Sequence, residues 1–76
     1  MRIHIILFGQ LTDIAGKSVF VDDVSDTDSL INVLHKTYPA LAKSKYLIAV
    51  NKEIVTSNTL LNEKNVVALL PPFSGG

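Results

Sequence analysis

An α+β fold, with one main helix packed on an apolar sheet, follows from three features of the 76-residue sequence. Its first and last apolar runs, Arg2 to Phe8 and Asn65 to Leu70, are rich in β-branched residues and too short for helices. Only one segment between them, around Leu30 and Leu34, has helical periodicity. Two shorter runs, at Leu47 and Ile54, read as further strands, so helix and sheet form two layers.

The elements follow in chain order. Arg2 to Phe8 is a first strand, closed by Gly9. "QLTDIAGK" is a turn or a single helical turn, with Gly16 available for positive φ. Ser18 to Asp23 alternates Val19 and Val21 against Phe20 and forms a second strand, in an antiparallel hairpin with the first. The helix runs through "SDTDSLINVLHKTY". Asp26 or Thr27 caps its start, and Asp28 sits where the helix dipole favours an anion. Leu30, Val33, Leu34 and Tyr38 form an apolar stripe flanked by Ile31. Pro39 stops the helix, because the residue before a proline resists the α conformation. A short linker leads to "YLIAVN", a brief "EIV" and the last strand. Residues 1–70 make one domain and residues 71–76 an extended tail.

The sheet has more apolar surface than one helix can cover. Ile3, Ile5 and Leu7 point to one face of the first strand, and Ile6 and Phe8 to the other. Val67 and Leu69 oppose Val66, Ala68 and Leu70 in the last strand in the same way. The uncovered face is expected to hold Phe8 and Leu70 with Ile54 nearby, and to serve a partner.

Composition narrows the function. Seven basic and seven acidic residues cancel, leaving no electrostatic footprint for nucleic acid or an anionic membrane. No apolar stretch approaches the roughly 20 residues that span a bilayer. "MRIHIILFG" has no small-residue cleavage site and reads as a strand, so the expected location is cytoplasmic. There is no cysteine, which removes thiolate chemistry and sulfur-based zinc sites. His4 and His35 have no acid and hydroxyl at triad spacing and read as structural or surface residues. Asp22, Asp23, Asp26 and Asp28 crowd one loop, but their spacing is not that of a calcium loop. They read as a solvated turn with helix-capping acids. No metal or bound cofactor is expected, and the chain has no catalytic side-chain set of its own.

The tail is different. Pro71 and Pro72 remove two backbone donors and fix φ, so the chain leaves the sheet as a stiff spacer. Phe73, Ser74, Gly75 and Gly76 can extend roughly 10–14 Å further, and the small last three suit a narrow channel. The α-carboxyl of Gly76 is ionised at neutral pH and is a weak electrophile until activated. Such a tail suits presentation of a carboxyl to another enzyme.

The ending "PPFSGG" resembles the Pro-Pro-x-Ser/Thr-Gly-Gly terminus found in the MoaD/ThiS family of ubiquitin-like sulfur carriers, in particular its molybdopterin synthase small subunits. "LFGQLTDIAGK", through Phe8, Leu11 and Gly16, is similar to that family's first strand and turn. "AVNKEIV", through Ala49 to Asn51 and Val55, is similar to its Ala-Val-Asn strand and return strand. The turn Glu63-Lys64-Asn65-Val66 departs from the usual Asp-Gly-Asp-Glu, although Asn65 can adopt positive φ. The resemblance implies a β-grasp fold with parallel first and last strands at the sheet's centre. It implies that an adenylating enzyme activates Gly76 with ATP, that the carboxylate becomes a thiocarboxylate, and that the tail delivers sulfur to a molybdopterin precursor in the large synthase subunit. A thiazole-pathway sulfur carrier and a ubiquitin-like protein modifier are the alternatives.

Overall fold

A computed structural model describes residues 2–72. Five strands, β1 (Arg2–Leu7), β2 (Ser18–Asp22), β3 (Leu47–Val50), β4 (Glu53–Val55) and β5 (Val66–Leu70), form one sheet in the order β2-β1-β5-β3-β4. β1 and β5 run parallel, with Ile5 beside Val67 and Leu7 beside Leu69, and the other neighbours are antiparallel. The parallel first and last strands thus lie inside the sheet, as the resemblance implies.

Helices α1 (Thr12–Ala15), α2 (Thr27–Thr37) and α3 (Pro39–Ala42) are the other regular elements among the described residues, with a 3₁₀ turn at Gly9–Leu11 before α1. Alternation fixes which sheet face is covered. Ile3, Ile5, Leu7, Val67 and Leu69 are buried against Leu30 and Leu34 of α2 and Leu41 of α3. Val24, Leu11 and Leu61 close the same core from loops.

Three details differ from the sequence reading. Val33 is 36% exposed. Successive helical residues turn by about 100°, which puts Val33 at the edge of a stripe centred on Leu30 and Leu34. The linker after α2 contains α3, because Pro39 ends one helix and is well suited to open the next. Its Leu41 is fully buried. Asn65 is not among the described non-glycine residues with positive φ, which are Asp23, Asn51 and Lys52. The turn before β5 closes through asparagine side chains instead: Asn62 N–H donates to Asn65 Oδ1 at 2.8 Å and Lys64 N–H to Asn62 Oδ1 at 2.9 Å.

The start of α2 explains the acidic loop. Helix N-termini leave backbone N–H groups without partners, and here the loop after β4 supplies two acceptors and Asp26 a third. Thr27 N–H donates to Thr59 O, Asp28 N–H to Asn58 Oδ1 and Ser29 N–H to Asp26 Oδ1. Asp22 is engaged with Arg2 at 3.1 Å. Ser29, through its side chain and then its backbone, and next Asn58 hydrogen-bond the Asp26 carboxylate, holding its pKa below the ordinary 3.8.

Candidate functional site

The sheet face away from the helices carries an apolar basin of about 520 Å³. Strand register explains its shape. Ile6, Ala68, Ala49 and Ile54 stand in one row across four strands. Two adjacent alanines keep the middle of that row low. Phe8 and Leu70 rise at one end and Val66 at the other, while Asn51 and Lys52 supply the polar rim. Phe8, Ile54 and Val66 are 45%, 50% and 40% exposed.

Phe8, Ile54 and Leu70 therefore line one hollow, on the face expected from the alternation of β1 and β5. Phe8 is held there because its N–H donates to Leu69 O at 3.1 Å, carrying the β1–β5 pairing one residue past the strand. Leu70 ends β5, and Pro71 and Pro72 follow without regular structure. The other proposed tail residues, Phe73, Ser74, Gly75 and Gly76, lie outside the described residues.

The outer half of this face is built differently. His4 stacks on Phe20 with ring centroids 4.6 Å apart and planes at 14°, and the Arg2 guanidinium lies 5.5 Å from the Phe20 ring. These side chains cover one another beside the open basin. His35 sits across the molecule on α2, where its Nε2 shares a hydrogen bond with Tyr46 Oη at 2.6 Å. Burial raises the Tyr46 phenol above its ordinary 10.0. The two histidines thus have separate structural partners. Among the described residues, no three His, Cys, Asp or Glu side chains gather where a metal could bind. No helix among them is long and apolar enough to cross a membrane.

Two residues of the basin's rim were not among the expected site residues. Asn51 and Lys52 adopt φ of 50° and 72° and form the two-residue turn between β3 and β4. Positive φ at both positions is the signature of a type I′ hairpin, for which Asn is a favoured first residue. That preference was readable; the consequence that both residues border the basin required the fold.

Sheet order, covered face and open basin together define a ubiquitin-like β-grasp protein with an apolar hollow beside its last strand. The chain belongs to the ThiS family, which matches residues 5–76. It is 34% identical to the molybdopterin synthase sulfur carrier subunit of Dictyostelium discoideum, over 99% of this chain and 96% of that protein. Against the protein of the same name from Arabidopsis thaliana it is 26% identical, over 100% and 84%. Among solved structures, it is similar to a chain in the complex of subunits 1 and 2 of molybdopterin-converting factor from Helicobacter pylori 26695, with 28% identity, a TM-score of 0.77 and full coverage of both chains. SAMP1 from Haloferax volcanii, at 24% identity, a TM-score of 0.82 and full coverage of both, shares the fold.

Proposed function

We propose that this chain is a sulfur carrier, the small subunit of a molybdopterin synthase, and that the carboxyl of Gly76 is its working group. The observation that carries this reading is the continuity of basin and tail: Leu70 lines the basin and Pro71 begins the departing segment. A partner seated on the basin holds the root of the tail. Six further residues span roughly 20 Å at full extension, enough to reach a recessed active site. The names of the two relatives support the same assignment.

The chemistry divides between two partners that dock in turn. An adenylating enzyme lets the Gly76 carboxylate attack the α-phosphate of ATP, releasing pyrophosphate and leaving an acyl adenylate. A hydrosulfide-equivalent nucleophile then displaces AMP and forms the C–S bond of a thiocarboxylate. In the large synthase subunit, sulfur passes to the molybdopterin precursor and hydrolysis returns the carboxylate. In this reading the steps call on no acid, base or metal among the described residues. It supplies a rigid body, a docking face and a thread. The location we propose for this work is the cytoplasm, as the sequence reading expects.

Intact-protein mass, measured with the adenylating enzyme, ATP and a sulfur source, tests the reading. The expected result is exchange of one oxygen for sulfur at the terminus, followed by transfer in the presence of the large subunit. Lysine-linked conjugates with no sulfur gain would instead identify a protein modifier. Delivery of sulfur only to a thiazole precursor would identify the other carrier class.

A further inference from the structure

We infer that Gly9 is a positioning residue for the tail, whose absent side chain lets Pro71 seat against the turn after β1 and thereby sets the direction in which the tail leaves. The inference rests on the carrier reading for its consequence, and on the Gly9–Pro71 geometry for its basis. Gly9 has φ +59°, and a Cβ placed on it would lie 2.6 Å from Pro71 Cγ, closer than real Cβ contacts come. The same Cβ would lie 3.5 Å from Pro71 Cδ and 3.8 Å from its Cβ, so the conflict is confined to one ring atom. Gly16 is the contrast: its φ is +85°, yet a Cβ there would meet nothing within 4 Å. Gly16 answers a backbone requirement alone, whereas Gly9 answers a backbone requirement and a close approach.

The turn that carries Gly9 is well anchored. Thr12 Oγ1 donates to Gly9 O at 2.8 Å, Leu11 N–H donates to Phe8 O at 3.2 Å, and Leu11 is fully buried. Pro71 has little freedom to step aside, because its ring is tied to its own backbone. A change of ring pucker can relieve part of the conflict at Cγ; the Pro71 backbone takes up the remainder, and the adjacent Pro72 passes the new direction onward. Catalysis at the end of a thread is sensitive to such an error, since about 1 Å of misplacement can cost about a hundredfold in rate.

The test uses the full chain with its adenylating enzyme, and separates backbone strain from the contact. Asn tolerates positive φ better than other side chains but carries a Cβ, so Gly9→Asn isolates the contact. We expect thiocarboxylate formation to slow at least about tenfold at saturating carrier. Affinity for the large subunit should stay within about threefold of wild type, because the basin is intact. Pro71→Ala removes the clashing Cγ, so in that background Gly9→Asn should cost at most about twofold. A Gly9→Asn protein as fast as wild type, or an equal loss in both backgrounds, would overturn the inference. A wild-type chain that gains no sulfur overturns the carrier reading instead. The contact is judged independently: an NOE between Gly9 Hα and Pro71 Hγ is expected in the wild type, and its absence refutes the geometry.

Discussion

Asn51 and Val66 exchange two hydrogen bonds: Asn51 N–H donates to Val66 O at 2.9 Å, and Val66 N–H donates to Asn51 Oδ1 at 3.0 Å. The β3–β4 turn thereby fastens the start of β5, the strand that leads to the tail. Asn meets both demands at position 51, a φ of 50° and a side-chain acceptor for Val66 N–H. Asn51→Gly keeps the conformation and loses the acceptor, at about 0.5–1.5 kcal/mol. Asn51→Ala also meets left-handed strain, and about 1.5–3 kcal/mol in total is expected. Urea unfolding at constant m-value checks the ranking; equal losses for the two variants would refute the division of roles.

Leu7 and Phe8 are neighbours with opposite tasks. Leu7 is 3% exposed in the core, whereas Phe8 is 45% exposed at the basin. Leu7→Ala should cost about 2–5 kcal/mol of stability, a large share of what so small a domain has. Phe8→Ala should cost the fold about 1 kcal/mol or less, and binding to the large subunit about 1–3 kcal/mol. Thermal unfolding and titration calorimetry read the two effects separately. A Phe8→Ala protein that is unstable but binds normally once folded would assign Phe8 to the core.

The Asp26 cap makes stability depend on acid. Its folded pKa lies below the ordinary 3.8, so its contribution is fully present above that pH and is lost as pH falls through the lowered folded value. Asp26→Ala should therefore lower the unfolding midpoint at neutral pH, and the gap to wild type should narrow below pH 3.8. Midpoints measured from pH 7 down to pH 2.5 follow the trend. A gap that stays constant over that range would exclude linkage through this carboxylate.

The strands and the main helix were legible because each rests on a local pattern. Ile3, Ile5 and Leu7 alternate, Leu30 and Leu34 repeat at helical spacing, and Asp26 has the chemistry of a cap. Features that need a distant partner were not legible. Asn58 and Thr59 complete the α2 N-terminus from about thirty residues away. Gly9 read as the end of a strand, since its meaning depends on Pro71. Val24 and Leu61 enter the core from loops without periodicity. Phe8, Ile54 and Leu70 could be placed on one face because alternation and one covering helix were enough. The low floor of the basin, with Ala49 beside Ala68, depended on register.

The terminus itself carries the last prediction. Deleting Gly76, or adding one residue after it, should abolish sulfur transfer while leaving the fold and much of the docking intact. The basin proposed for docking is lined by residues no later than Leu70, so neither change touches it. The proposed chemistry requires the terminal carboxyl carbon to bring its oxygen to the α-phosphate of ATP and later its sulfur to a pterin precursor. One residue moves that carbon by about 3.5 Å, several times the displacement that can cost about a hundredfold in rate. Gly75→Val should also slow transfer, because a stiff β-branched side chain must pass where a narrow channel admits none. ATP-dependent thiocarboxylate formation, followed by product formation with the large subunit, separates failure of activation from failure of delivery. A truncated chain that still acquires and delivers sulfur at the wild-type rate would remove Gly76 from the mechanism, and with it the carrier function proposed for this chain.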